Sequence, residues 1–307
     1  MTWTAMKIAL FVPTYNAGEQ WKFWIQSYQQ QKVKADKVIV IDSSSSDKTA
    51  DLSEQANFEV TVIPTHEFNH GGTRNLSVSL SKDAEVFIFL TQDALLSSPF
   101  SLQKIIESFS DPQVGAVYGR QLPHKNANPL AAHARLFNYP DKTIIKSQDD
   151  IAKLGIKTVF ISNSFAAYRA SLFRELGGFP DNVILAEDMY LAARIIKNGY
   201  KIVYSSEATI YHSHNYTPWQ EFKRYFDTGV FQQQESWIQN EFGRETGEGK
   251  KFVISELKYL SKNAPLWIPR AVFTTFLKFV GYKLGNHYSL LPKFLVKKFS
   301  MHKQYWK

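Results

Sequence analysis

The 307-residue chain has no cysteine. That excludes disulfide staples and cysteine-ligated zinc and fits a reducing compartment. It has no uninterrupted apolar run of about 18 residues, so no membrane-spanning helix is expected. The start, MTWTAMKIALFVPTY, passes from a short polar stretch into a strand-like run without the charged-then-apolar pattern of a secretory leader. No GxGxxG follows any apolar run, which argues against a dinucleotide-dependent dehydrogenase. The segment after the first such run reads VPTYNAGEQW. It lacks the Gly/Arg/Lys-rich loop expected there of a nucleotidyltransferase. Acidic residues are scarce in one place: Lys250–Lys307 holds twelve Lys/Arg and a single acid, Glu256. This tail carries +11 of a net +8, leaving −3 for residues 1–249. A basic tail suits an anionic membrane surface or nucleic acid. The acidic balance of the remainder argues against a nucleic-acid binder.

What is present is enough apolar material, 44%, to bury a core. Short apolar runs alternate with helical patterns. Ile8–Val12 precedes an amphipathic Gly18–Gln31. Lys37–Ile41 precedes Asp47–Ala56, and Val60–Ile63 precedes Gly72–Lys82. Val86–Leu90 then ends at Thr91-Gln92-Asp93. Strands alternating with helices predict right-handed βαβ units and a parallel sheet with its strand C-termini, and its ligand site, along one edge. Further strands are expected at Val114–Tyr118, Thr158–Arg169 and Lys201–Tyr204, and helices at Ala186–Asn198 and residues 217–245. Residues 123–157 read as a long loop with a helical piece.

Polar residues collect at the expected strand ends, and each has two readings. Asp42, opening DSSSSDKT, suits either a hydrogen bond to a base or ribose or a simple strand end, while Asp47 suits a helix N-cap. Asp93 in TQDA is placed to hold a divalent cation or to cap a turn. Glu187 and Asp188 open a helix, where the helix dipole favours acids, and a general base aimed at the sheet edge would look the same. His212 and His214, two apart in YHSHNY, point the same way if extended and suit a metal, or are surface polar residues. FNHGGTRN, Phe68–Asn75, reads as a phosphate cradle, a metal site or a glycine-rich turn into a helix.

The series VPTYN, IDSSSSDKT, GGTRN, FLTQDA, SNSFAAYRASLFRELGGF, AEDMYLAARIIKNGYKIVY and YHSH resembles family 2 glycosyltransferases of the GT-A fold. EFNHGGTRN, TQDA and YKLGNHYSLLPKFLVKKFSMHKQYW look like the bacterial rhamnosyltransferases of surface polysaccharide synthesis. The resemblance implies a Rossmann-like mixed α/β sheet with a helical, basic C-terminal extension. It divides the chain into a catalytic domain, residues 1–216, and the extension, 217–307. The donor half of the catalytic domain is about 1–95 and the acceptor half about 96–216.

The implied reaction is inverting transfer of a sugar, L-rhamnose from dTDP-L-rhamnose, to a hydroxyl of a lipid-linked glycan, with Mg²⁺ or Mn²⁺ as cofactor. Pro13, Thr14, Tyr15, Asn16 and Asp42 are implied to line the nucleotide pocket. Arg74 with Asn75 reaches the base or pyrophosphate, and the glycines at Gly71 let the backbone approach the diphosphate, with a helix start adding positive dipole. His70 either touches the sugar or shapes the turn. Asp93 matches the last acid of the family's metal motif, and His212, or His214 in its place, matches the histidine that holds the metal. Asp188 matches the base. Asn163, Ser164 and Glu187 fall on the acceptor side. Thr91 stands where the family carries its first metal-motif acid, which shifts weight onto Asp93 and the histidine and leaves Gln92 for a sugar or ribose hydroxyl. The tail, with Trp267, Phe273, Phe276 and Phe279 among lysines, reads as an interfacial helix at the inner face of the cell membrane or as a surface packed on the catalytic domain.

Overall fold

The computed structural model describes residues 6–243 and 247–306. Strands β1 (Ile8–Thr14), β2 (Lys37–Asp42) and β3 (Glu59–Val62) alternate with helices α1 (Gln20–Gln29), α2 (Thr49–Gln55) and α3 (His70–Ser79). Then come β4 (Val86–Leu90), β5 (Leu95–Leu96), α4 (Ser101–Ile106), β6 (Val114–Leu122), α5 (Pro129–Asn138), β7 (Ile144–Lys146) and α6 (Ile151–Leu154). The sheet ends with β8 (Phe165–Arg169), α7 (Ala170–Glu175), α8 (Glu187–Lys197) and β9 (Lys201–Tyr211). The elements described after β9 are helices: α9 (Pro218–Gln234), α10 (Ser236–Phe242), α11 (Glu248–Asn263), α12 (Ile268–Asn286) and α13 (Lys293–Phe299).

The strands make one mixed sheet in the order β3-β2-β1-β4-β8-β6-β9-β5, with β7 also paired to β9. β3, β2, β1 and β4 are mutually parallel. β8 runs antiparallel to both β4 and β6, so the parallel expectation holds for the first half and reverses at β8. β1 and β4 are buried along almost their whole length, as strands covered on both faces must be, which is why VFIFL carries no polar alternation. α1 covers one face with Trp21, Trp24, Ile25 and Tyr28, the i, i+3, i+4, i+7 stripe of a core-facing helix. Residues 123–157 contain more order than a loop, since α5, β7 and α6 all fall there.

The two longest helices of the C-terminal extension pack on each other through glycine. A Cβ at Gly281 or Gly285 would collide with the carbonyl oxygens of Phe222 and Phe226, and one at Gly229 with that of Tyr282. α9 and α12 therefore touch backbone to backbone. This seats Ala271, Thr274, Gly281 and Gly285 inward and leaves Val272, Phe273, Phe276 and Phe279 54–59% exposed on the opposite face. Beyond α13, buried Asp227 on α9 accepts the backbone N–H groups of Met301 (2.8 Å) and His302 (3.2 Å). Among the described residues no helix is long and apolar enough to cross a membrane.

Candidate active site

The parallel register puts the ends of β1, β2 and β4 side by side. Asp42 ends β2 with its carboxylate buried, accepting from Thr14 Oγ1 (2.8 Å), Ser45 N (2.7 Å) and Ser45 Oγ (2.6 Å). It thereby ties the β1 and β2 ends together. Asn16, with φ of 44°, accepts from Ser46 N (2.8 Å). Asp47 accepts from Gly18 N (2.8 Å) and Thr49 N (3.0 Å), so it steadies the β1 loop as well as the start of α2. Pro13 sits opposite Ile41 in the β1–β2 register, and the Tyr15 side chain is exposed at this edge. The expectation for Gln92 changes. Its amide accepts from Tyr15 N (2.7 Å) and donates to Tyr15 O (3.1 Å). With its carbonyl and one N–H taken, it clips the β1 loop to the end of β4 instead of reaching toward a sugar.

One residue on, Asp93 meets both histidines. His212 Nε2 lies 3.5 Å and His214 Nε2 3.6 Å from Asp93 Oδ2. One ligand atom from each of the three falls within 4.8 Å of the others. His212 Nδ1 is 2.8 Å from Gln121 Oε1, while Gln121 Nε2 donates to Ser162 Oγ (2.9 Å). An amide oxygen only accepts, so Nδ1 carries the proton and the Nε2 lone pair is left facing Asp93, the tautomer a metal ligand needs. Burial would raise the Asp93 carboxyl, but the His212 and His214 rings beside it outweigh that and hold it well below the usual carboxylate range. Burial, then His212, keeps His214 neutral by lowering it to about 4. One carboxylate and two imidazoles fit a divalent ion. Both histidines that the sequence left as alternatives face the same carboxylate.

The acids opening α8 form the second cluster. Ala186, with φ of 59°, turns the chain so that Glu187 and Asp188 start the helix. Asp188 accepts from Asn163 N (2.9 Å) and Met189 N (2.8 Å). Burial and then the neighbouring Glu187 push its carboxyl up to about 7, the range of a working general base at neutral pH. Glu187 itself is buried. Its Oε1 receives Asn163 Nδ2 (3.0 Å) and lies 3.1 Å from Arg74 Nη1. Desolvation would raise it, but Arg74 and then His70 outweigh that and lower it. Asn163 completes the knot by accepting from Tyr168 Oη (2.9 Å). Asn163 and Glu187, expected on the acceptor side, are thus buried supports of Asp188, whereas Ser164 lines an open cavity. Ser164 O also receives Thr91 N (3.5 Å), which links the base cluster to the Asp93 strand end.

GGTRN has partners other than a diphosphate. Asn69 caps α3 by accepting Gly72 N (2.6 Å). A Cβ at Gly71 would strike the Pro180 carbonyl oxygen, so that glycine is required by the 178–181 loop. Asn75 holds the same loop, bonding Phe179 O (2.8 Å), Phe179 N (3.0 Å) and Asp181 Oδ1 (3.0 Å). Arg74 is 5% exposed and spends its charge on Glu187 and His70 O (2.9 Å). These three expectations change for one reason: α3 packs against the loop leading to α8, and these side chains face that loop.

The His70 ring meets His302 edge-on at 5.0 Å, which brings the C-terminal segment to the same cluster. Nothing in the sequence marked His302, Gln121 or His124, whose Nε2 lies 3.3 Å from Asp93 O. They are 232, 91 and 31 residues from the partners they meet.

Residues 9–177 match the family described as glycosyl transferase family 2. The O-antigen chain rhamnosyltransferase RfbN of Salmonella typhimurium is 58% identical over 98% of this chain and 96% of its own length. WbaN of Salmonella anatum, another O-antigen chain rhamnosyltransferase, is 55% identical over 97% and 95%. Among solved structures, the mannosyltransferase PcManGT of Pyrobaculum calidifontis, in complex with GDP-Man and Mn²⁺, aligns over 99% of this chain and 86% of its own, with TM-score 0.58 and 19% identity. TarS of S. aureus in complex with UDP-GlcNAc aligns over 92% and 91% at TM-score 0.53 and 14% identity. The last two likenesses establish the GT-A-like fold. A strand-end edge of the GT-A kind, a family match over more than half of the chain and full-length relatives above 50% identity lead to one conclusion: this chain belongs to glycosyl transferase family 2.

Proposed function

We propose that the enzyme transfers L-rhamnose from dTDP-L-rhamnose, with inversion, to a hydroxyl of a lipid-linked glycan in surface-polysaccharide synthesis. The observation that carries this reading is the full-length likeness to two O-antigen rhamnosyltransferases. The geometry supports it by separating the two tasks that sugar transfer sets. Asp93, His212 and His214 would hold Mg²⁺ or Mn²⁺, which neutralises the departing diphosphate when bound. Asp188 takes the proton of the attacking hydroxyl at its carboxylate, which Asn163 N and Met189 N hold in place. Attack and departure on opposite faces of the anomeric carbon would turn a β-linked donor into an α-rhamnoside.

Residues 1–216 form the catalytic unit in this reading, and the 217–307 extension places it at the inner face of the cell membrane. The bare face of α12, Val272, Phe273, Phe276 and Phe279, flanked by exposed Arg270 and Lys283, supports that placement.

The test is turnover against a panel of nucleotide sugars with Mg²⁺ or Mn²⁺, alongside co-sedimentation with anionic and neutral vesicles. Turnover of dTDP-L-rhamnose alone and retention by anionic vesicles are expected. Preference for another nucleotide sugar would overturn the donor assignment, and indifference to both vesicle types the membrane assignment.

A further inference from the structure

A cavity of about 400 Å³ lies between α5, α9 and α12 and reaches His212, His214 and Ser164. Three cations line it: Arg135 on α5, Arg224 on α9 and Lys278 on α12, against a single carboxylate, Glu221. Arg224 takes that carboxylate at 3.0 Å, with Lys278 farther off at 3.7 Å. Arg135 uses Nε to donate to His212 O (2.8 Å), and no carboxylate among the described residues pairs with its terminal nitrogens. Thr274, 4% exposed, lies on the cavity-lining face of α12, one turn from Lys278.

We propose that this cavity is the subsite for a phosphoryl group carried by the acceptor, held by Arg135 and Lys278. The proposal rests on the lipid-linked acceptor of the preceding reading and adds which end of it the enzyme grips. Size and charge agree: the space suits a sugar with an attached phosphate, and its excess of positive charge suits an anion. The two faces of α12 make the argument specific. Thr274 and Lys278, four residues apart, share the face that lines the cavity. Val272, Phe273, Phe276 and Phe279 lie on the other, exposed face. One helix thus presents a phosphate-binding lysine inward and an apolar surface outward. A molecule with a lipid tail, a phosphate and a sugar needs these in that order to reach the His212 and Ser164 end of the cavity.

The experiment measures binding of geranyl diphosphate and of geraniol by calorimetry in EDTA, so that a metal-held diphosphate in the donor pocket does not contribute. Wild type binds the diphosphate and not the alcohol. Lys278→Gln weakens it by roughly tenfold or more, the size of a lost charge-assisted hydrogen bond, and Lys278→Arg restores most of it. Asp93→Ala leaves this binding intact, because Asp93 belongs to the donor side. Undiminished binding in Lys278→Gln, or its loss in Asp93→Ala, would overturn the subsite. Reduced retention of Lys278→Gln on anionic vesicles, with geranyl diphosphate binding intact, would make Lys278 a reader of bulk headgroups and overturn it too. Hydrolysis of dTDP-L-rhamnose by the wild type, with water as acceptor, tests the donor reading separately, so the two can fail independently.

Discussion

Arg74 and Glu187 face each other at 3.1 Å with both side chains almost fully buried, joining α3 to the first turn of α8. The pair sits beside Asp188, so a buried ion pair braces the residue assigned to the base. Removing one partner leaves a buried charge uncompensated. Arg74→Ala should therefore destabilise the fold by about 3–5 kcal/mol, read as a lower denaturation midpoint. An unchanged midpoint with weakened donor binding would return Arg74 to the nucleotide pocket.

The raised Asp188 pKa makes a signed prediction about stability. Its carboxyl is pushed up to about 7 in the folded state from an ordinary value of 3.8. Between those values the native state binds the extra proton, so this group's contribution is full at acidic pH and is lost as pH rises toward 7. Asp188→Asn, which cannot ionise, should gain stability relative to wild type as pH rises from about 4 to 7. Parallel stability curves would place the Asp188 pKa near its ordinary value. Wild-type turnover should rise with pH through the same region as the base ionises.

His212 depends on Gln121 for its tautomer, through the 2.8 Å contact at Nδ1. Gln121→Ala should weaken Mn²⁺ binding by roughly 10–100-fold, the usual loss when the partner behind a metal-bound histidine is removed. Mn²⁺ titration followed by electron paramagnetic resonance measures it. Unaltered affinity would remove His212 from the ligand set.

Gly71 and Gly285 should behave as packing residues. A methyl group at either meets a backbone carbonyl oxygen, of Pro180 or Phe226, which has no freedom to swing aside. Alanine at each position should lower the thermal midpoint, with losses of about 1–3 kcal/mol typical of overpacking. Gly71→Ala with full stability and a selectively raised donor KM would restore the diphosphate reading of GGTRN.

Much of the architecture could be read from residue order. β1, β2 and β4 were visible because strands buried on both faces must be apolar throughout, and the helices after β1, β2 and β3 were visible from their period. The sequence also pointed to Asp93, the histidines and the paired acids, because each lies at the end of a recognisable element. What it could not show was direction. Arg74 and Asn75 sit on a helix start that would suit a phosphate, and only the packing of α3 against the 178–181 loop turns them to other partners. The same limit hid Gln121 and His302, whose roles come from contacts between segments far apart in the chain. It also hid the seating of α12, where Gly281 and Gly285 decide which face is buried.

The account turns on the division between a cation site at Asp93 and a base at Asp188. The most direct test measures single turnover of Asp188→Asn at saturating donor together with its donor affinity. Turnover should fall by about 10²–10⁴-fold, the contribution of a positioned general base, while donor affinity stays close to wild type. Near-normal turnover, or a loss of donor binding large enough to account for the fall, would contradict it.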